Sequence, residues 1–511
     1  MTRGTPRPRT ALFLISDTGA GHRSAANAIN AAMNLIGAQS ASAPPSASSP
    51  RHRRDQGANR SWRTVIVDVF AECANFPLKN GVFLYGPAIK HSPRLYSQLF
   101  HLTNSASRFN AAYRLSKPFI RQGLTQLLQR YRPDVIVSIH PLLNHITLQV
   151  MSDLGVKVPF LTVVTDMVSV HTAWITPGVS ACVVATEAAR EYAISRGVAP
   201  RRVKLLGMPI DPSFAIEPTD DARGRKQALG LDPDLPTILL MGGGEGAGGL
   251  AQAAYALGRE GLRAQLLVVT GRNRALRAEL EQVTDFTTPM RVYGFVENMP
   301  ELMRASDLIV TKAGPGSISE AMACGLPIIL TGYVEGQENG NVDYVCENRL
   351  GVFADTTERL LKSVHQLLNP NDPMLEEFRA NVRRLSRPRA SLDIARLILS
   401  YLPGPSAPSA WVSVPRSRRG RLTTALNRRR RWAIQRARRF AGDSASQARR
   451  LSALTPLTRT LGSLRGGGRA QRRISLPSLD GARALLQRAP TRVILTRRRS
   501  ERERTGVAPR P

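Results

Sequence analysis

The chain has 511 residues, 42% of them hydrophobic, and a formal net charge of +33. That length suffices for two or three domains with full cores, and no apolar run approaches the roughly 18 residues that cross a bilayer. Its four cysteines (Cys73, Cys182, Cys324 and Cys346) are scattered without a C-x-x-C pair, which argues against a disulfide scaffold and fits free thiols in a reducing compartment.

At the N-terminus, Arg3, Arg7 and Arg9 precede only five apolar residues before Ser16 and Asp17. That is too short for the apolar core of a signal peptide, so the expectation is a cytoplasmic protein. The run at 11–15 opens a series of strand-like apolar segments continuing at 64–69, 134–139, 160–165, 181–185 and 203–206. A second series follows at 237–241, 265–270, 291–295, 308–311, 327–330 and 351–353. Near-continuous apolar strands separated by helix-length segments predict parallel sheets with helices on both faces. The joint falls near Gly207-Met-Pro-Ile-Asp-Pro. The fold class is therefore α/β, with two doubly wound, Rossmann-like domains over 8–207 and 208–402 that face a cleft. Ligands of such sheets bind beyond the carboxyl ends of the strands.

Residues 37–61, rich in Ala, Ser, Pro and Arg, read as a disordered surface insertion. Residues 375–402 read as two closing helices broken at Pro388. From Gly404 to Pro511 there are 27 arginines, no lysine and four acids, so this segment carries +23 of the total charge. Together with Pro403 it forms a basic tail with no core-forming pattern, expected to be disordered. It suits anionic membrane lipids at on the order of 1 kcal/mol per charge, or nucleic acid by counterion release. The absence of a nucleic-acid reader fold beside it disfavours the second.

Three glycine-rich turns follow strands. The first, Ser16-Asp17-Thr18-Gly19-Ala20-Gly21, leads into His22 and a helix. The second runs from Gly242 through Gly243, Gly244 and Gly246 to Gly249, and the third from Lys312 through Gly314 and Gly316 to Ser317. One such turn is an ordinary tight corner. Three at equivalent places point to phosphate binding, because a strand, a glycine turn and a helix N-terminus aim unpaired N–H groups and a positive dipole end at one spot. Glu320, placed in the first turn of the third helix, is within reach of a sugar hydroxyl beside such a phosphate. Glu335, Gln337, Glu338 and Asn341 crowd the next loop, and a phosphate cradle ringed by carboxylates and amides suits a nucleotide-sugar.

His22 and Asp166 both stand at strand ends and are the candidate bases for a hydroxyl proton; each also has a bland reading as a capping or packing group. His140 and His145 lack a third ligand at metal spacing, and Asp232-Pro-Asp234 sits in a turn before a strand, so no divalent metal is required. Between 70 and 119 lie Phe76, Phe83, Tyr85, Lys90, Tyr96, Phe100, Tyr113 and Lys117. They read either as the core of a helical crossover or as a surface that docks on a bilayer.

With these residues in view, the chain resembles the family of monogalactosyldiacylglycerol synthases and processive diacylglycerol glucosyltransferases. It is more distantly similar to the N-acetylglucosaminyltransferase of peptidoglycan lipid synthesis. The resemblance spans about 11–402 and includes SDTGAGHRSAANAI, DVIVSIHPLLNH, TVVTDMVSVHTAW, GMPIDPSF, LLMGGGEGAGGL and TKAGPGSISEAM…GLPIILTGYVEGQENGN. It implies a GT-B fold, with acceptor lipid on the first domain and UDP-sugar on the second. It further implies an inverting transfer from UDP-galactose to diacylglycerol, needing no cofactor or metal. His22 matches the family's glycine-turn histidine and Glu320 the residue that holds the ribose. Gly243, Gly244 and Gly246 match the diphosphate turn, with Gln337 and Glu338 near the donor sugar. Lys312, Gly314, Gly316, Ser317 and Asn341 complete the expected donor site; Gly19, Gly21, Phe83, Tyr85 and Phe100 form the expected acceptor and membrane side. The alternatives are a diacylglycerol glucosyltransferase, a UDP-sugar epimerase of the same architecture, and a nucleic-acid-binding protein driven by the tail. The expected place is the cytoplasmic face of the cell membrane, peripherally bound.

Overall fold

A computed structural model describes residues 8–17, 20–42, 62–75, 98, 102, 104–217, 221–243, 249–404 and 410–411. The segments named for Gly19, Phe83, Tyr85, Phe100, Gly244 and Gly246 lie outside the described residues, as do 43–61 and 412–511.

Six strands form the first sheet: β1 (Arg9–Ile15), β2 (Trp62–Asp68), β3 (Val135–Ser138), β4 (Phe160–Val163), β5 (Ala181–Val184) and β6 (Val203–Leu205). Six form the second: β7 (Thr237–Met241), β8 (Gln265–Val269), β9 (Met290–Tyr293), β10 (Leu308–Lys312), β11 (Ile328–Gly332) and β12 (Gly351–Phe353). The orders are β2-β1-β3-β4-β5-β6 and β12-β11-β10-β7-β8-β9, with every neighbouring pair parallel. In each sheet the strand order reverses once, at β1/β3 and at β7/β10, and there the loops part to leave a crevice. All three glycine turns leave strands that border these two points.

Both faces of each sheet are apolar, as the unbroken runs predict. In β1, Phe13 and Ile15 pack on Ala25, Ile29 and Met33 of the helix Ala20–Ser42, while Leu12 and Leu14 meet Leu124 and Leu128 of the helix Ala106–Tyr131. Fully burying a Phe, Leu or Ile side chain contributes roughly 1.5–3 kcal/mol, so these two layers dominate the first domain's stability. The second sheet repeats the scheme, with Leu239 and Ile309 against Ile318 on one face and Leu240 and Val310 against Leu257 and Val364 on the other.

The segment expected to open a disordered insertion at 37 is helical through Ser42. Gly37 lies against the Trp62 ring, so this last stretch of helix has tertiary support. Two helices close the chain as expected, Met374–Leu385 and Ala390–Tyr401. The second returns to the first domain, placing Ile394, Ala395 and Ile398 in the β1 core. The Ser391 hydroxyl donates to the Ile210 carbonyl, so the two chain crossings between domains touch. Beyond this helix, Arg9 donates to the Gly404 carbonyl at 2.6 Å and the Trp411 indole to the Pro133 carbonyl at 2.8 Å. Both contacts lie at the amino ends of β1 and β3, opposite the crevice.

Candidate functional site

On the first domain, the turn after β1 brings His22 to the crevice. Asp17 accepts two hydrogen bonds from Arg23, at 2.7 and 2.5 Å, and its own N–H donates to Asp68 at 3.0 Å. His22 Nδ1 lies 3.2 Å from Thr165 Oγ1, just past β4. Its ring meets His140 edge-on at 4.9 Å between centroids, with Trp174 at 6.0 Å, and Phe70 backs His140 at 5.5 Å. Burial lowers the His22 pKa to about 4, opposed by the Asp17 charge. Gly21, beside it, is exposed.

Asp166, the other candidate base, is buried and heavily engaged. It accepts from the Trp174 indole at 2.7 Å and the His171 backbone at 3.2 Å, and the Gln337 side chain also hydrogen-bonds to it. Burial pushes its pKa up to about 6 against these three donors. A carboxylate committed in this way organises its neighbours more readily than it shuttles a proton. His140 and His145 do not converge: His140 packs on His22, whereas His145 lies against the Tyr113 ring. No group of three His, Cys, Asp or Glu among the described residues has the arrangement of a metal site.

On the second domain, β7 and β10 end side by side. The helix Pro315–Ala323 starts with Gly314 as its cap and no capping side chain, leaving its first N–H groups to a ligand. The helix Leu250–Arg259 begins likewise at Gly249. Space is open beside Gly243 and Gly316, where an added Cβ would meet nothing within 4 Å, and Ser317 is half-buried in the first turn. Because Pro315 takes the first helical position, Glu320 stands in the second turn rather than the first. It is half-buried and pushed up to about 7, by burial first and by the Asp211 charge second.

Lys312 reaches Glu338 at 2.6 Å, and the other Glu338 oxygen accepts from the Val334 N–H at 2.8 Å. This locks the carboxylate that closes the loop and leaves the ammonium 3.1 Å from where a Gly314 Cβ would stand. Asn341 donates to the Ala313 carbonyl at 2.9 Å, while its buried Oδ1 has no hydrogen-bond partner.

The two halves meet along one seam. Gln337 binds Asp166, and the Gly340 N–H donates to Ser169 Oγ at 3.1 Å. Met167 and Val168, on the same first-domain loop, pack into the second domain's core. A chain of contacts thus runs from His22 through Thr165 to its neighbour Asp166 and on to Gln337. Reading the sequence alone singled out neither Thr165, Ser169 nor Trp174, although all three lie in or beside TVVTDMVSVHTAW. It also passed over Phe295, 62% exposed past β9 with the Arg272 guanidinium 5.4 Å over its ring, because the expected strand 291–295 ends at Tyr293.

Two doubly wound domains with a phosphate-type cradle on one and a half-buried histidine on the other have the architecture of a GT-B glycosyltransferase. Residues 45–210 match the family described as monogalactosyldiacylglycerol (MGDG) synthase, and residues 237–384 match the glycosyltransferase family 28 C-terminal domain. The chain is 35% identical over 398 residues to monogalactosyldiacylglycerol synthase, chloroplastic, of Spinacia oleracea, covering 76% of this chain and 71% of that protein. It is 35% identical over 402 residues to monogalactosyldiacylglycerol synthase 3, chloroplastic, of Arabidopsis thaliana, covering 77% and 81%. The chain belongs to the monogalactosyldiacylglycerol synthase family, and it is a UDP-sugar glycosyltransferase. Among solved structures, Acinetobacter baumannii MurG is alike at a lower level, with 15% identity and a TM-score of 0.47 over 77% of this chain and 100% of that chain.

These relatives correct one expectation. They are chloroplastic proteins, which contradicts a place on the cytoplasmic face of the cell membrane. No helix among the described residues is long and apolar enough to cross a membrane.

Proposed function

We propose that this enzyme transfers the galactosyl group of UDP-galactose to diacylglycerol with inversion, forming monogalactosyldiacylglycerol. Family membership supports the substrates. The observation that supports the mechanism is the run of contacts from His22 to Thr165, its neighbour Asp166 and on to Gln337, which links the first-domain imidazole to the second-domain loop that carries Gln337.

The diphosphate lies against the N-termini of Pro315–Ala323 and Leu250–Arg259, with open space beside Gly243 and Gly316 and with Gly314 and Ser317 at the start of the first of these helices. Glu320 accepts from the ribose hydroxyls. Phe295 offers an exposed aromatic face to the base. Glu338, held by Lys312, and Gln337 stand at the sugar, and Asn341 Oδ1 is an acceptor still to be satisfied. His22 Nε2 takes the proton of the diacylglycerol hydroxyl as its oxygen attacks the anomeric carbon from the face away from the diphosphate. The bond from that carbon to the diphosphate oxygen breaks, and UDP leaves with the electron pair. The helix N-termini stabilise the charge that develops on it.

Leu102, Leu115 and Leu142, exposed on the first domain, would meet the lipid phase, while the arginines beyond residue 411 favour anionic headgroups. Product analysis tests the whole reading: purified enzyme with diacylglycerol vesicles and either UDP-galactose or UDP-glucose. A β-galactosyl lipid from UDP-galactose alone supports it. Product from UDP-glucose alone would instead favour the glucosyl reading, and no lipid product from either donor would overturn both.

A further inference from the structure

Side chains from the ends of two strands, Thr165 past β4 and His140 past β3, border His22, and the way they do so is specific. We infer that Thr165 and His140 are positioning residues for His22: the Thr165 hydroxyl fixes which ring nitrogen carries the proton, and the His140 ring keeps water and charge away from it. The inference rests on the reading of His22 as the group that takes the acceptor's proton.

Thr165 is buried, with its hydroxyl 3.2 Å from Nδ1. A hydroxyl can either donate or accept there. Donation to Nδ1 would put the ring's proton on Nε2 and leave no lone pair for the acceptor. Acceptance from Nδ1–H makes Nε2 the basic nitrogen, and the ring's hydrogen bond to Thr165 is at Nδ1, not at Nε2. A hydroxyl does this without lending the negative charge that a carboxylate would bring.

The charged and titratable groups facing the ring are otherwise occupied. Asp17 is paired with Arg23, and Asp68 accepts from the Asp17 and Ala71 N–H groups. Asp166 accepts from Trp174, His171 and Gln337. The remaining neighbour is His140, 5% exposed and edge-on to His22, with Phe70 behind it. Its Nδ1 is buried without a hydrogen-bond partner, an arrangement that costs stability and is expected where a site serves something other than the fold. A ring so packed shields that side of His22 from water. The consequence agrees with the direction of both groups: burial holds His22 low, and burial with the His22 charge holds His140 well below the ordinary histidine value. The base is therefore fully in its receptive form across the neutral range.

The test uses the full chain, UDP-galactose, and diacylglycerol in phosphatidylcholine vesicles, with kcat and KM measured from about pH 4.5 to 8.5 and thermal unfolding in parallel. Thr165→Val keeps the shape and loses the hydroxyl; it should lower kcat by about tenfold or more with the donor KM within about twofold, and Thr165→Ser should restore it. His140→Ala admits water and should move the acid limb of kcat/KM upward toward about 6.5, the ordinary value for histidine, whereas His140→Phe keeps the packing and should leave the limb in place. Should either truncating variant fail to fold, Thr165→Ala and His140→Gln are read instead. A folded Thr165→Val with the parent kcat, or a folded His140→Ala with an unmoved acid limb, overturns the inference. His22→Ala separates the two levels: if it retains the parent kcat, the reading of His22 itself is wrong. If it is inactive while both neighbours are silent, only the positioning roles fall.

Discussion

In its proposed role at the ribose, Glu320 links burial to ligand binding. Free, it is held near 7 by burial and by Asp211. Accepting from two ribose hydroxyls requires the ionised form, so binding below about pH 7 must expel a proton. UDP-galactose affinity should rise with pH through about 7 and level off above, with proton release seen by calorimetry in buffers of different ionisation heat. Glu320→Gln should weaken binding by about tenfold and flatten the profile; a flat profile in the parent enzyme would remove Glu320 from the ribose site. For stability the sign is the reverse of a salt-bridged acid. The folded pKa lies above the unfolded one, so the stability this group contributes is full below about 4.5 and is lost as pH rises through about 7. His22→Ala should lower kcat about 10²- to 10⁴-fold while UDP binding, read by titration, stays near the parent value. Both residues were legible as candidates because each follows a strand and a glycine turn, a local pattern. Thr165 was not, since its role exists only once the turn after β1 meets the end of β4, 143 residues away in the chain.

The elements that decide the site are two loops rather than a helix or strand. The acceptor-side loop 166–171 docks against 337–341, and Gly340 is where they come closest. A Cβ there would stand 2.6 Å from Ser169 Oγ and 3.0 Å from Val168 Cγ1. Gly340→Ala should push the loops apart at a cost of about 1–3 kcal/mol in stability. It should also lower kcat at saturating donor, because Gln337 and Asp166 are then displaced together. Unfolding and turnover measured side by side check this, and unchanged turnover would detach the seam from catalysis. Runs of apolar residues announced nearly every strand, since a buried parallel strand has no polar face to confuse the pattern. Helix limits were harder: residues 37–42 look like a linker by composition, yet they continue a helix that Trp62 supports from another element.

At the scale of the whole molecule, charge is divided unevenly. All 27 arginines of the segment 404–511 lie beyond Trp411, whereas the described cleft is built from a far less basic chain. Truncation after Trp411 should weaken binding to anionic vesicles, most at low salt, and leave kcat on detergent-dispersed diacylglycerol near the parent value. Vesicle flotation across a salt series measures it; an unchanged vesicle affinity would give the arginines another task. The two-domain plan was legible from the repeated strand series, but the return of Ala390–Tyr401 to the first domain was not, because an amphipathic helix does not name the sheet it will cover. That return has a mechanical consequence. With Arg9 gripping Gly404 and Trp411 wedged at Pro133, any pull on the chain beyond is taken up by the first domain, and the load path bypasses the second domain.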